Sequence, residues 1–319
     1  MGSREVYAIF VAGGSGTRMG GAVPKQFLDL CGLPVLQRSI ERFLEAEPAA
    51  HVIVVLPAQH ILTWREMCVE HAVSFAQTVV KGGMTRFHSV QAALEKVPDG
   101  VIAAVHDGVR PLVSPSMIRG MLDLMASGNE TAPSVISADT TVRHTRPDRV
   151  SLSTGAASSV NSTGVAFSVN STGAASSVIS TGAASSVNSI GAASSVNSIG
   201  TASSVISTGA KRSGEISSRV IRALIPALPV TDTLRCLDPG STLPPRSSLV
   251  AVQTPQIFLS EDLKRAYSQP YDTSFTDDAS VVERLGIPIE IFPGDKNNIK
   301  ITTPEDLTLA RLFLQTHYV

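Results

Sequence analysis

Residues 6–25 read VYAIFVAGGSGTRMGGAVPK, a short apolar run that opens into a loop with five glycines, one arginine, one proline and one lysine. The run VYAIF is the length of one buried strand. HVIVVL at 51–56 and VIAAVHD at 101–107 are β-rich runs of the same kind, separated by stretches with helical spacing. Leu36, Ile40, Phe43 and Leu44 mark one amphipathic helix, and Phe87, Val90, Leu94 and Val97 mark another starting just after Gly82-Gly83. Thr303-Pro304-Glu305-Asp306 is a helix start: a capping hydroxyl, proline in the first turn, then acids at the positive dipole end. Leu307, Ala310 and Leu314 continue the buried face of that helix. Strands alternating with helices predict an α/β fold, Rossmann-like, with a mainly parallel sheet and helices on both faces. In such sheets ligands bind beyond the C-terminal strand ends. The opening loop lies at one such end and Asp107 at another.

The chain has 319 residues with 26 Lys plus Arg against 27 Asp plus Glu, a formal net charge of -1. That balance offers no broad attraction to nucleic acid, so an anionic ligand must be met by a local basic cluster. No apolar run approaches the roughly 18 residues that cross a bilayer. Arg4 and Glu5 cancel and Gly13-Gly14 follow where a cleavage site would stand, so VYAIFVA is not read as a signal peptide. The expectation is a soluble, cytoplasmic protein with neither nucleic acid nor membrane as partner. Cys31, Cys68 and Cys236 are far apart and form no CxxC pair, which suggests neither a disulfide framework nor a zinc site.

From Ser153 to Val205 the chain repeats a nine-residue unit, approximately STGAASSVN, with glycine at 155, 164, 173, 182, 191, 200 and 209. Residues 151–210 contain no Asp, Glu, Lys or Arg, and Phe167 is their only aromatic residue. Such a segment buries little surface to offset its ordering entropy, and disorder is expected. A stacked β-helix is the alternative for a nine-residue period, although the acidic residues of its calcium-binding versions are absent. The patterns on either side read as halves of one domain, 1–136 and 221–319, interrupted by an insertion over 137–220. Without it about 235 residues remain, a natural single-domain length.

The dinucleotide fingerprint fails in the opening loop, because Gly14 and Gly16 require glycine at position 19 and the chain has Met19. The phosphate-loop pattern fails as well, since Gly21 is followed by Ala22. What remains is a glycine-rich turn whose bare amides can approach phosphate oxygens, with Arg18 and Lys25 as the nearby fixed charges.

AGGSGTRMG followed by PKQF resembles the signature of sugar-phosphate nucleotidylyltransferases. GGMTRFHSV (82–90), HDGVRP (106–111), PVTDTLR (229–235), QTPQIF (253–258), TDDAS (276–280) and NNIKIT (297–302) follow in matching order. Together they resemble the 2-C-methyl-D-erythritol 4-phosphate cytidylyltransferases, CTP-using enzymes of the non-mevalonate isoprenoid route. The resemblance covers essentially everything outside the repeat. It implies attack of a substrate phosphate on the α-phosphate of CTP, with positioned cations dominating catalysis. Arg18, Lys25 and Lys300 are then the catalytic cations. Ala12, Gly13, Gly14 and Gly16 cradle the nucleotide, and Gly83 and Ser89 recognise its base or ribose. Met84 departs from the acidic residue of many relatives.

On the same resemblance Asp107 binds substrate through Mg²⁺, which favours one or two carboxylates plus phosphate oxygens. Arg110 holds the polyol phosphate or orients Asp107, with a purely structural ion pair as the alternative, and Thr233 and Thr254 serve the polyol phosphate with Lys300. Arg246 reaches it from the neighbouring subunit of a homodimer with a shared site, on an arm at about 233–253. His106 is read as a structural residue. Asp277 and Asp278 are read as capping the helix ASVVERLG and are held outside the catalytic set. A D-ribitol 5-phosphate cytidylyltransferase is the near alternative. A repeat-mediated interaction protein on a relic domain is the distant one, and the intact motif set stands against it.

Overall fold

In the computed structural model, residues 5–14, 23–127, 220–237 and 240–317 are described, together with Ile136–Ser137 and six four-residue strands between 160 and 208. Strand β1 (Val6–Val11) lies between β2 (His51–Leu56) and β4 (Ile102–Asp107) and pairs parallel with both. Strand β3 (Gln77–Lys81) extends the parallel run beyond β2. On the far side of β4 the direction reverses. Strand β8 (Gln256–Leu259) is antiparallel to β4 and to β6 (Ala223–Pro229). Strand β6 also pairs antiparallel with β7 (Val250–Val252) and parallel with β9 (Glu290–Pro293), which meets β5 (Ile136–Ser137). The order is β3-β2-β1-β4-β8-β6-β9-β5, with β7 on β6. The fold is α/β as expected, parallel through its first four strands and mixed beyond them. Those later strands are not all linked by the βαβ crossovers that parallel pairing requires.

Helices cover both faces, and the alternation along β1 decides which residue meets which layer. Ala8 and Phe10 face a core with Phe43 of α1 (Val35–Leu44), Trp64 of α2 (Ile61–Glu70) and Ile118 of α4 (Pro115–Ser127). Ile9 faces another with Val90 of α3 (Arg86–Leu94), Leu263 of α5 (Ser260–Tyr267) and Val282 of α6 (Asp278–Glu283). Helix α7 (Pro304–His317) packs Leu307, Ala310 and Leu314 against Leu30, Val35 and Ile301. At its start the Thr303 hydroxyl accepts from Asp306 N–H at 3.4 Å, and Asp306 Oδ2 in turn accepts from the backbone N–H of Thr302 and of Thr303, each at 2.8 Å. Helix α3 begins at Arg86, behind a Thr85 cap, and ends at Leu94 short of Val97. At the end of β4, a Cβ on Gly108 would stand 2.7 Å from Leu36 Cδ1 and 3.1 Å from Ala12 Cβ. Glycine there lets α1 pack against the strand ends that carry the site.

Met1–Asp139 together with Ser218–Val319 forms one compact unit, and Thr140–Ser217 forms another. In the second, Val160–Thr163, Val178–Thr181 and Val196–Ile199 pair in parallel, as do Val169–Thr172, Val187–Ile190 and Val205–Thr208. Each strand therefore meets the one two repeats on. The expectation of disorder over 137–220 falls largely on residues outside those described. The six described tetrapeptides are paired strands, and the recurring β-branched residues within them suit that conformation. Among the described residues no helix is long and apolar enough to cross a membrane.

Candidate active site

Asp107 closes β4 and is 7% exposed. Its Oδ2 lies 3.0 Å from Lys300 Nζ and 3.2 Å from Arg110 Nε. Burial alone would raise this carboxyl, but the charges of Lys300, Arg86 and Arg110 outweigh it and hold the group well below the usual carboxylate range. Arg110 also donates from Nη1 to the carbonyl of Asn298 at 2.7 Å, and Ile301 N–H donates to Val109 O at 2.9 Å. These bonds tie the NNIKIT segment to HDGVRP and deliver Lys300 to Asp107.

Behind the carboxylate, a relay of neutral groups fixes the strand end. The Arg110 carbonyl can only accept, so His106 Nε2, 3.4 Å away, carries the ring proton and Nδ1 is the acceptor. Thr254 Oγ1, 3.0 Å from Nδ1, therefore donates to it and accepts from Asp107 N–H at 3.0 Å. His106 is fully buried, edge-on to Phe10. Burial pushes its pKa down to about 4, against an attraction to Asp107 that works the other way. The structural reading of this histidine holds in the geometry.

In front of the carboxylate is a cavity of ≈ 270 Å³. Its wall includes Ala12, Gly13 and Gly14 from the opening loop, Lys25, Gly83 with Ser89, Asp107 and Lys300. Lys25 follows the loop in a single turn of 3-10 helix, and a Cβ on Gly14 would lie 3.8 Å from its ammonium nitrogen. Gly83 is forced by packing, because a Cβ there would be 2.4 Å from His88 Cβ. Its N–H donates to Ser89 Oγ at 3.2 Å, and that hydroxyl donates to Thr85 O at 2.9 Å. Ser89 therefore shapes the turn that presents Gly83. Met84 stands on the wall almost fully exposed.

The structure thus brings Ala12, Gly13, Gly14, Lys25, Gly83, Ser89, Asp107 and Lys300 to one cavity, whereas Arg18 and Gly16 lie outside the described residues. Thr254 and Arg110 support Asp107 and do not line it. Thr233 and Arg246 line a separate surface depression with Leu243 and Leu249, and Arg246 Nη1 donates to Thr231 O at 3.1 Å. Asp277 caps α6 in a reciprocal capping box with Ser280. Asp278 does something else: it takes a two-pronged contact from Arg86, which lines the cavity. Sequence reading gave Arg86 no role, although it stands inside GGMTRFHSV. Its partner is 192 residues away, a separation at which periodicity carries no signal.

The family model for IspD, 2-C-methyl-D-erythritol 4-phosphate cytidylyltransferase, matches residues 6–213 and 211–316. A 2-C-methyl-D-erythritol 4-phosphate cytidylyltransferase of Porphyromonas gingivalis is 35% identical over 310 residues, covering 97% of each chain. One from Phocaeicola vulgatus is 31% identical, covering 97% of this chain and 99% of that one. Among solved structures, the 4-diphosphocytidyl-2C-methyl-D-erythritol synthase of Anaerococcus prevotii superposes with a TM-score of 0.59 at 18% identity. That superposition covers 98% of this chain and 97% of the other, and carries the fold alone.

The buried imidazole supplies a test of the relay. Its folded pKa of about 4 lies below the ordinary 6.5, so between those values the unfolded chain binds a proton that the folded chain does not. Its contribution to stability is complete above pH 6.5 and is lost as the pH falls toward 4. Urea unfolding across that window is expected to show a steeper loss of stability for the wild type than for His106→Gln. Equal slopes would contradict a buried neutral histidine.

Proposed function

The chain belongs to the 2-C-methyl-D-erythritol 4-phosphate cytidylyltransferase family, and we propose that its reaction runs in the cavity at the ends of β1 and β4. The reaction is cytidylyl transfer from CTP to 2-C-methyl-D-erythritol 4-phosphate, with release of pyrophosphate. The observation that carries the site is the gathering of Lys25, Arg86 and Lys300 with the Asp107 carboxylate on the wall of a single cavity. An oxygen of the acceptor phosphate attacks the α-phosphorus of CTP. The new P–O bond forms as the bond from that phosphorus to the bridging oxygen breaks, and the electron pair leaves with pyrophosphate. Anion meets anion, so Lys25 and Lys300, with Arg18 from the opening loop, neutralise the approach and the charge gathered at phosphorus. A phosphate dianion needs no general base, and His106 has both ring nitrogens engaged behind the strand.

Magnesium fits the donor set. Asp107 is the one carboxylate on the cavity wall among the described residues, and it stays ionised. Those residues contain no group of three acids, histidines or cysteines that would form an all-protein cage. One carboxylate plus substrate oxygens is the coordination this ion accepts, and when bound it would neutralise phosphate charge.

Homodimerisation completes the site in this reading. Thr233 and Arg246 stand on the excursion between β6 and β7, which exposes Leu234, Leu237 and Leu243, and a partner subunit covering that arm would receive Arg246. Cytoplasmic residence is consistent with free thiols at the exposed Cys31 and Cys236. The repeat is an insertion between the two halves of the catalytic unit. Loop closure costs only about 0.6 kcal/mol per doubling of length, so a long insertion is tolerable.

Pyrophosphate release with CTP and Mg²⁺ is expected with 2-C-methyl-D-erythritol 4-phosphate and not with D-ribitol 5-phosphate. Lys300→Ala is expected to lower turnover about 10²- to 10³-fold. Turnover with ribitol phosphate alone, or an active Lys300→Ala enzyme, would contradict the reading. Joining Asp139 directly to Ser218, which keeps β5 and the buried Ile221, is expected to leave a folded protein that retains turnover. Loss of either would show that the repeat supports the catalytic unit.

A further inference from the structure

We infer that Arg86 contacts an anionic oxygen of the bound nucleotide, and that Asp278 and Tyr267 are positioning residues that hold it for that contact. The inference rests on the cavity being the CTP site. Arg86 is the first residue of α3, directly behind the Gly83 turn, and its side chain forms part of the cavity wall beside Asp107. Nη1 and Nη2 donate to Asp278 Oδ1 and Oδ2, each at 2.7 Å, and Tyr267 Oη donates to Oδ1 at 2.5 Å. Asp278 is fully buried and Tyr267 is 2% exposed, whereas the Arg86 side chain keeps 30% of its surface. The carboxylate is thus sequestered while the cation stays reachable. Asp278 takes one N–H from each terminal nitrogen, and a guanidinium has five N–H donors, so donors remain for a ligand.

A clamp between α3 and α6 is the competing explanation. Helix α3 is already held on that side by aromatic packing: Phe87 stacks on Tyr267 of α5 with centroids 4.7 Å apart, and on Phe275, in the link between α5 and α6, at 5.8 Å. A buried ion pair adds little net stability over apolar packing, because both charges must be desolvated. Orientation of a fixed cation at the cavity wall explains what a clamp does not, namely why the pair stands at the cavity and is exposed only on the arginine side.

The test is calorimetric titration of the full chain with CTP and Mg²⁺, comparing wild type with Arg86→Gln/Asp278→Asn. The double substitution replaces the ion pair by uncharged amides, isosteric at 278 and shorter at 86, so that neither partner is left as an unpaired buried charge. The expected result is a CTP dissociation constant raised about tenfold or more. KM for the polyol phosphate stays within about twofold, and the melting temperature changes little. Unchanged CTP affinity would overturn the inference and leave a structural clamp. A wild type that binds no CTP would overturn the cavity reading and the inference with it. Should the double variant misfold, Tyr267→Phe decides: it keeps the ion pair, and the inference expects CTP affinity to fall severalfold, whereas a clamp leaves it unchanged.

Discussion

The contact on which the rest of the site depends is the one between the Asp107 carboxylate and the two cations that converge on its Oδ2, Lys300 at 3.0 Å and Arg110 at 3.2 Å. Asp107 and Arg110 precede the repeat in the chain; Lys300, and the Asn298 carbonyl that anchors Arg110, follow it. Bringing them together requires β8 to pair with β4 and the 297–302 segment to dock on Val109. A cluster of this kind is a poor source of stability, since desolvation offsets much of its attraction. What it does provide is an ionised carboxylate and an ammonium at fixed separation on the wall of a cavity of ≈ 270 Å³.

The uncharged groups behind the carboxylate explain how so much charge is held still. Thr254 and His106 satisfy one another and the Asp107 amide without adding a titrating group in the neutral range. The same economy appears at Gly83, where a clash with His88 fixes a glycine and Ser89 Oγ holds its amide. Backbone and neutral hydroxyls set the shape around the charged side chains.

Much of this is legible in the sequence. The apolar runs of β1, β2 and β4, the spacing of α1 and the capped start of α7 are local signals, and local signals survive in sequence. Lys25, Asp107 and Lys300 were found because motif order placed them, not because any single one stands out. Thr254 is read from its motif as a hydroxyl for the acceptor phosphate, whereas in the structure it bonds His106 and the Asp107 amide, because a motif does not say which side a hydroxyl faces. The antiparallel β6, β7 and β8 and the Arg86–Asp278 pair were missed. Those contacts join residues far apart in the chain, and a long-range partner leaves no periodic trace in either segment.

The most direct test of the central contact is a double-mutant cycle on kcat/KM with Asp107→Asn, Lys300→Met and the two combined. If carboxylate and ammonium act as one unit, the double variant is no worse than the poorer single variant, because the first substitution already dismantles what the second would remove. Losses that multiply would show two independent groups and contradict the account.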